Sequence, residues 1–319
     1  MKKTVYPKNV IKFIFTASLL AFSYSLLAQT KFPDNVHIGL IYPLSTQGTH
    51  APLDTNFLSI HAIGGVSAAE RGLAISGFTT VVEHDITGIA ISGFSNHIGE
   101  KSQGFLIAGF ANTYRDAIGF QLAGFANIAR KDVEGAQFAG FLNRSRDLKG
   151  AQFAGFSNFA QEVKGSQFSG FMNAVKSITG SQFAGFSNLA GGNVSGSQFA
   201  GFINTAANVK GSQFARFINI AKKVKSAQLA GFINIADSSD HPIGLINIIK
   251  GGDKAIRFNM DETETGLFSF RSSVKSLYGI IGLGYNFKNT DAVYAFETGL
   301  GAHFFTFNCR VEQYCLEAV

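Results

Sequence analysis

The motif GAQFAGFLN, from Gly135 to Asn143, returns at a fixed step through the middle of this 319-residue chain. It recurs from Gly150, Gly165, Gly180, Gly196 and Gly211, without its first glycine from Ser226, and in an earlier form, GFQLAGFAN, from Gly119. The step is 15 residues, or 16 where one is inserted, as at Gly191-Gly192. Self-similarity at a fixed short period marks a stacked-repeat architecture, and it constrains the fold more than any local signal. Counted on the central Gly-Phe pair, rungs run from Gly77-Phe78 to Gly231-Phe232, with a degenerate last one at Gly244-Leu245 and Arg216 replacing the glycine once. The outer units lack the glutamine, as terminal capping repeats do.

The units, above all GFQLAGFANIA from Gly119 to Ala129, resemble a family of bacterial surface-repeat proteins built on G-x-Q-x-x-G-x-x-N. The segment from Ile38 to Gly48 is similar to the lead-in of members from Bacteroidetes-like bacteria, and the resemblance extends over roughly residues 38 to 305. It implies export and a surface or outer-membrane setting. It supplies no activity and no catalytic residues.

Within one unit, Gln137, Ala139, Phe141 and Asn143 share one strand parity, while Phe138 and Gly140 share the other. Two phenylalanines three apart cannot both point inward from a straight strand. Either Phe138 and its equivalents form an outward apolar stripe, or the chain bends at the glycine. The bend is preferred, with both phenylalanines buried and stacked on their equivalents in adjacent coils. Arg216 in the glycine position marks a solvent-facing corner where an arginine is tolerated. Charges gather in the connectors, which also carry a recurrent apolar residue (Val133, Leu148, Val163, Ile178) expected to dip into the core.

Two architectures accommodate one main strand per repeat. In a β-solenoid the strands are parallel, so identical amides stack into ladders, Gln137 over Gln152 and Asn143 over Asn158. In an up-and-down barrel, neighbours are antiparallel and equal residues do not superpose. The near-equal connectors and a polar residue in mid-strand favour the solenoid, against the alternating turns and loops and the apolar wall of a membrane barrel. The expected fold is all-β: a solenoid of about twelve coils, then a short antiparallel module. The structural repeat positions are Gln137, Gly140, Phe141 and Asn143, with Gln152, Gly155, Phe156 and Asn158, and Gln167, Gly170, Phe171 and Asn173.

The flanks read as separate segments. Residues 1–28 carry four lysines, an apolar run and Ala28 before Gln29, the pattern of a secretory signal peptide. Residues 29–71 read as a cap and lead-in, 72–250 as the repeats, and 251–319 as the antiparallel β-module, in which Leu267 to Val274, Tyr278 to Phe287 and Val293 to Phe307 alternate. The texture of that module resembles outer-membrane barrel strands. Cys309 and Cys315 are the chain's two cysteines, and either a disulfide or two free thiols accounts for them.

Catalytic, cofactor and metal sites are not expected. Glu83-His84-Asp85 is the densest titratable cluster, but adjacent residues on an extended chain point apart. His37, His50, His61, His97, His241 and His303 lack metal-ligand spacing. Gly282-Leu283-Gly284 is too short for a dinucleotide fingerprint, and Asp253, Asp261, Glu262 and Glu264 read as a solvated loop. Asn143-Arg144-Ser145 and Asn193-Val194-Ser195 match a glycosylation pattern that the repeat itself generates. The net charge of +6 suits solvated lysines between strands, or an anionic neighbour.

The expected function is therefore a non-enzymatic, exported surface or outer-membrane protein with a structural or binding role, with the periplasm as the alternative compartment. The partner candidates are the outer membrane, a surface polysaccharide or another envelope protein, and not nucleic acid. A porin-like barrel and a solenoid enzyme acting on glycans are the alternative functions.

Overall fold

The computed structural model describes residues 35–274, 277–288, 293–306 and 309–315, with the backbone alone from residue 303 onward. The expected signal segment and the cleavage at Gln29 lie outside the described residues. The chain divides into two compact units, residues 1–110 and 111–319. Together they hold about 13 turns of parallel β-solenoid and an antiparallel sheet.

In the first unit, Val36–Ile41 pairs in parallel with Thr55–Ser67, which pairs in parallel with Ala69–Ser76 and Thr79–Val82. Ile86–Ser92, Ser95–Ile98 and Lys101–Ala108 continue the ladder. Among the described residues, coil pairing is thus present from Val36, ahead of Gly72, where the sequence periodicity first becomes legible.

In the second unit the register is that of identical residues. Gln121, Gln137, Gln152, Gln167, Gln182, Gln198, Gln213 and Gln228 lie in one column. The asparagines from Asn112 to Asn247 lie in another. The insertion at Gly191-Gly192 is absorbed at an exposed bend, and register resumes at once with Gln182 opposite Gln198.

One coil runs as a long strand, such as Val133–Ala139, then a corner at Gly140-Phe141, then a short strand, Leu142–Arg144. The recurrent connector residue belongs to the long strand and is buried, as in Val133, Leu148, Val163 and Ile178. Inward positions are therefore Val133, Gln137, Ala139, Asn143 and Ser145 and their equivalents, which are buried except for the half-buried Ala160, Ser169, Ala184 and Ala200.

The phenylalanines are not in this core, contrary to the reading that buries both. The bend and the coil-to-coil stacking are present, but the rings stand outside: Phe141 is 39% exposed, Phe156 40% and Phe171 38%. The reason is geometric. A coil of about fifteen residues encloses a narrow interior, filled here by one aliphatic column, two amide columns and columns of alanine or serine. Phe138 alternates outward between Gln137 and Ala139, and the two-residue corner carries Gly140 and Phe141 outward together.

After Lys250, five antiparallel strands follow in chain order: Asp253–Met260, Thr265–Val274, Leu277–Asn286, Tyr294–Thr306 and Cys309–Cys315. The first of them was not legible in the sequence, where Asp253 reads as loop. As an edge strand with every residue exposed, it carries no burial pattern to betray it. The Asn247 backbone N–H donates to Ser272 Oγ at 2.8 Å, joining this sheet to the last coil.

Candidate functional surface

The buried amides form two hydrogen-bonded ladders. Each asparagine side chain donates to the next one along, Asn143 Nδ2 to Asn158 Oδ1 at 3.0 Å and Asn158 Nδ2 to Asn173 Oδ1 at 2.9 Å. The same Nδ2 donates to two backbone carbonyls, Gln137 O at 3.3 Å and Phe153 O at 2.7 Å in the case of Asn143. Since only nitrogen can donate to a carbonyl, the backbone fixes which way each amide points. The glutamine ladder runs in the opposite sense, with Gln152 Nε2 donating back to Gln137 Oε1 at 2.7 Å and Gln167 Nε2 to Gln152 Oε1 at 2.8 Å. Its N-terminal end meets the buried Tyr114 hydroxyl, which accepts from Gln137 Nε2 at 2.6 Å. Gln121 Nε2 and Gln228 Oε1, at the two ends, have no hydrogen-bond partner among the described residues.

Two glycine columns are required by close approach between coils. A Cβ on Gly170 would lie 2.1 Å from Gly155 O. Gly150, Gly165 and Gly180 hold φ of 140°, 142° and 144°, and a Cβ on Gly165 would lie 1.8 Å from Gly150 O. Exposure of the corner therefore does not confer tolerance, and the expectation for arginine in this column is corrected on that ground. Where Arg216 occupies it, the adjacent rings turn: Phe202 and Phe217 meet at 13° and Phe217 and Phe232 at 11°, against 4° or less between the rings of neighbouring rungs from Phe125 to Phe202.

With the polar amides inside, the outer surface of the second unit is apolar along two strands. One phenylalanine column runs Phe138, Phe153, Phe168, Phe183, Phe199, Phe214 with ring centroids 4.8–4.9 Å apart and planes within 4°. The other runs through Phe141, Phe156, Phe171 and Phe186 at 4.7–4.9 Å. Beyond the corner, Leu142, Met172, Ile203 and Ile218 lie on the outward side of the short strands, together with Phe159, Leu189 and Ile220. A shallow groove of about 1030 Å³ follows the Phe138 column, floored by alanine and glycine positions and running past Arg216 to Leu229 and Gly231.

Between Ala117 and Lys250, every charged side chain except Arg144 and Arg216 lies on the connector side of the coil. Exposed ion pairs cross from coil to coil there, Arg146 to Asp132 at 2.9 Å and Lys149 to Glu134 at 2.7 Å. Among the described residues, Lys164, Lys176, Lys210, Lys222, Lys223 and Lys225 enter no ion pair.

The remaining sequence candidates are dispersed. Glu83 and His84 are exposed, and Asp85 Oδ1 accepts from the Lys101 backbone N–H at 3.0 Å. His50, His97 and His241 are exposed and far apart in the chain. Asp261 accepts from the Thr263 and Thr265 backbone N–H groups, both at 2.9 Å, which tie its carboxylate into a turn and hold its pKa below the ordinary value. Gly282-Leu283-Gly284 lies within an antiparallel strand. Asn143 is fully buried in its ladder, whereas Asn193 is exposed. The side chains of Cys309 and Cys315, in the strand Cys309–Cys315, lie outside the described residues. The side chain of His303 lies outside the described residues.

One pair escaped the sequence reading. His37 and His61, 24 positions apart, are both buried and meet edge to face with ring centroids 4.3 Å apart. Parallel pairing of their strands, with Gly39 opposite His61, brings them together. Burial lowers both to about 4, His61 further through His37. Glu70, buried in the same unit and raised by that burial, accepts from Ser59 Oγ at 2.7 Å.

Among the described residues no group of three His, Cys, Asp or Glu side chains is placed to hold a metal ion, and no helix is long and apolar enough to cross a membrane. No protein-family model, no curated protein and no solved structure matches this chain.

Proposed function

We propose that this is a non-catalytic, exported envelope protein, at the outer membrane or cell surface, whose solenoid is a scaffold for displaying a long apolar surface. One observation carries the reading: the repeat's phenylalanines, stacked in register from coil to coil, stand outside the core, while its amides occupy the inside. Contiguous exposed apolar surface on this scale marks a place of interaction, because a free protein gains nothing by presenting it to water. The test is fractionation of cells producing the full chain, with surface-protease accessibility. Recovery in the envelope supports the reading, and recovery of the wild type in the cytoplasm with Met1 retained refutes it.

A second reading, a porin-like wall, has support from the terminal sheet. Ile256, Phe258, Phe268, Leu283 and Phe296 are paired across four strands, share one face and are exposed. Those strands, 8 to 13 residues long, bracket the length of about 9–11 that spans a membrane. Ion conductance across planar bilayers distinguishes it.

A further inference from the structure

We infer that the partner of the aromatic face of the second unit is the acyl layer of an anionic lipid surface, on which the solenoid lies with its connectors in the headgroups. This inference rests on the display-surface reading above and names its occupant.

Three features of the face select that occupant. The first is ring orientation. In both phenylalanine columns the planes are nearly parallel from coil to coil at 4.7–4.9 Å, so each ring face is covered by its neighbours and edges point outward. A glycan binds aromatic side chains through their faces, which are used up here. A comb of ring edges beside leucine, isoleucine and methionine is a hydrocarbon surface without direction, and hydrocarbon chains match it.

The second is the backbone. Hydrogen bonds of the long and short strands run from coil to coil, within the plane of the apolar faces. The amide side chains that share these carbonyls point inward. A strand surface with its backbone paired can enter hydrocarbon without stranding donors or acceptors, the requirement that admits any structure to the bilayer core.

The third is charge. The apolar faces are bordered on one side by Lys149, Lys164, Lys210 and Lys225 with Glu134, and on the other by Arg146, Lys176, Lys222 and Lys223 with Asp132, Asp147 and Glu162. Glu134 and Asp132 are paired to Lys149 and Arg146, and Lys164, Lys176, Lys210, Lys222, Lys223 and Lys225 leave the rims basic. Basic residues flanking an apolar face are the pattern of proteins that rest in an anionic interface, and long lysine stems reach the headgroups while their bases stay lower. A second copy of this chain is the weaker occupant for the same reason: two such faces brought together would set basic rims against basic rims.

The experiment is flotation of the purified chain with vesicles of phosphatidylethanolamine and phosphatidylglycerol, against vesicles of phosphatidylcholine alone. Sedimentation of the lipid-free protein is measured in parallel. The wild type is expected to float with the anionic vesicles. Replacing Phe156, Phe171 and Phe186 together by serine is expected to lower partitioning at least about tenfold, as exposed hydrocarbon is removed from the bilayer contact. Replacing Lys164, Lys210 and Lys225 by glutamine should cost about fivefold per lysine on anionic vesicles and little on neutral ones. A second apolar-face variant, Phe159→Arg with Leu189→Arg, guards against misfolding of the first, because Arg144 already occupies their column in register. It too should stay in the unbound fraction. Equal flotation of the wild type and both face variants overturns the lipid assignment. So does a wild type that ignores vesicles but sediments as a dimer that the face variants dissociate, in which case the display-surface reading survives with a second copy as occupant. A wild type that neither floats nor self-associates overturns both.

Discussion

If the core is an amide ladder and the phenylalanines are its outer dressing, placing leucine in the two columns should have opposite consequences to those in an ordinary protein. Consider Asn173 and Phe171, two residues apart in one coil. Asn173 is fully buried, donates to Asn188 Oδ1 at 3.0 Å and to the backbone carbonyls of Phe183 at 2.8 Å and Gln167 at 3.4 Å, and accepts from Asn158 Nδ2 at 2.9 Å. Leucine removes all of these at once. Orphaning a buried acceptor such as Asn188 Oδ1 costs about 1–3 kcal/mol, and each further bond lost about 0.5–1.5 kcal/mol net, so Asn173→Leu should cost about 4 kcal/mol. Phe171 is 38% exposed and touches Phe156 and Phe186 through stacked rings. Phe171→Leu keeps most of the apolar contact and loses two weak stacking terms, for about 1 kcal/mol.

The assay is urea unfolding followed by far-ultraviolet circular dichroism. With a slope of about 3 kcal/mol/M, a difference of about 3 kcal/mol separates the two midpoints by roughly 1 M. The double variant Asn158→Leu with Asn173→Leu should cost less than the two singles added, because the bond they share is lost only once. An Asn173→Leu midpoint within about 0.3 M of the wild type, or a Phe171→Leu midpoint lower than that of Asn173→Leu, would refute the polar-core account and restore a conventional hydrophobic core.

Gly165→Ala should cost about 3 kcal/mol or more, from its φ of 142° and a Cβ placed 1.8 Å from Gly150 O, whereas Gly191→Ala, with nothing within 4 Å, should be within about 0.5 kcal/mol of wild type in the same assay. Gly170→Arg should also destabilise despite its exposed corner, and a crystal structure of that variant should show ring tilts like those beside Phe217. Because burial holds His37 and His61 at about 4, the unfolded chain takes up protons first: their contribution is whole above pH 6.5 and falls away toward pH 4, by up to about 3 kcal/mol per ring. Glu70, raised by burial, binds its proton more tightly when folded and offsets part of that loss, and His61→Gln should flatten the decline in hydrogen-exchange protection of Val36–Ile41 between pH 7 and pH 4.5. Deleting the whole coil Gly150 to Lys164 should leave a folded chain in register, while deleting Gly150 to Phe156 should abolish the circular dichroism signal of the coils beyond.

The period of fifteen was enough to read the parallel stack, its amide columns and the bend at the glycine, because each is a property of translation along the chain and needs no knowledge of the third dimension. What it could not give was the side of the bend on which Phe141 falls. Parity places Phe141 with Gln137, Ala139 and Asn143 on a straight strand, and the corner breaks that parity for one residue alone. Hydrophobicity then argued for the wrong side, since a phenylalanine column is the usual tenant of a core. The interior is instead too narrow for rings and is closed by amides that satisfy one another. Arg216 misled in the same way: a charge does report solvent, but the column's demand comes from the carbonyl of the preceding coil, which would lie 2.1 Å from a Cβ placed on Gly170, and exposure does not relieve that. His37 and His61 were illegible for a different reason, because strand pairing joins them through a segment without the repeat.

An amide-lined interior also explains how this chain can keep so much hydrocarbon outside without losing its fold. In a protein held together by apolar burial, an outer apolar face competes with the core: the chain can lower its free energy by turning that face inward. Here the inside is specified by hydrogen bonds that only Asn143, Asn158 and their equivalents can make, each to two carbonyls and a neighbouring amide. A phenylalanine turned inward would leave those carbonyls and amides unpaired, at about 1–3 kcal/mol for each group. The ladders thus hold the phenylalanines out against the pull of the hydrophobic effect, and coil-to-coil register aligns them into a continuous surface. The repeat encodes both at once, since Gln137 and Asn143 fix the inside and Phe138 and Phe141 are what that choice leaves for the outside.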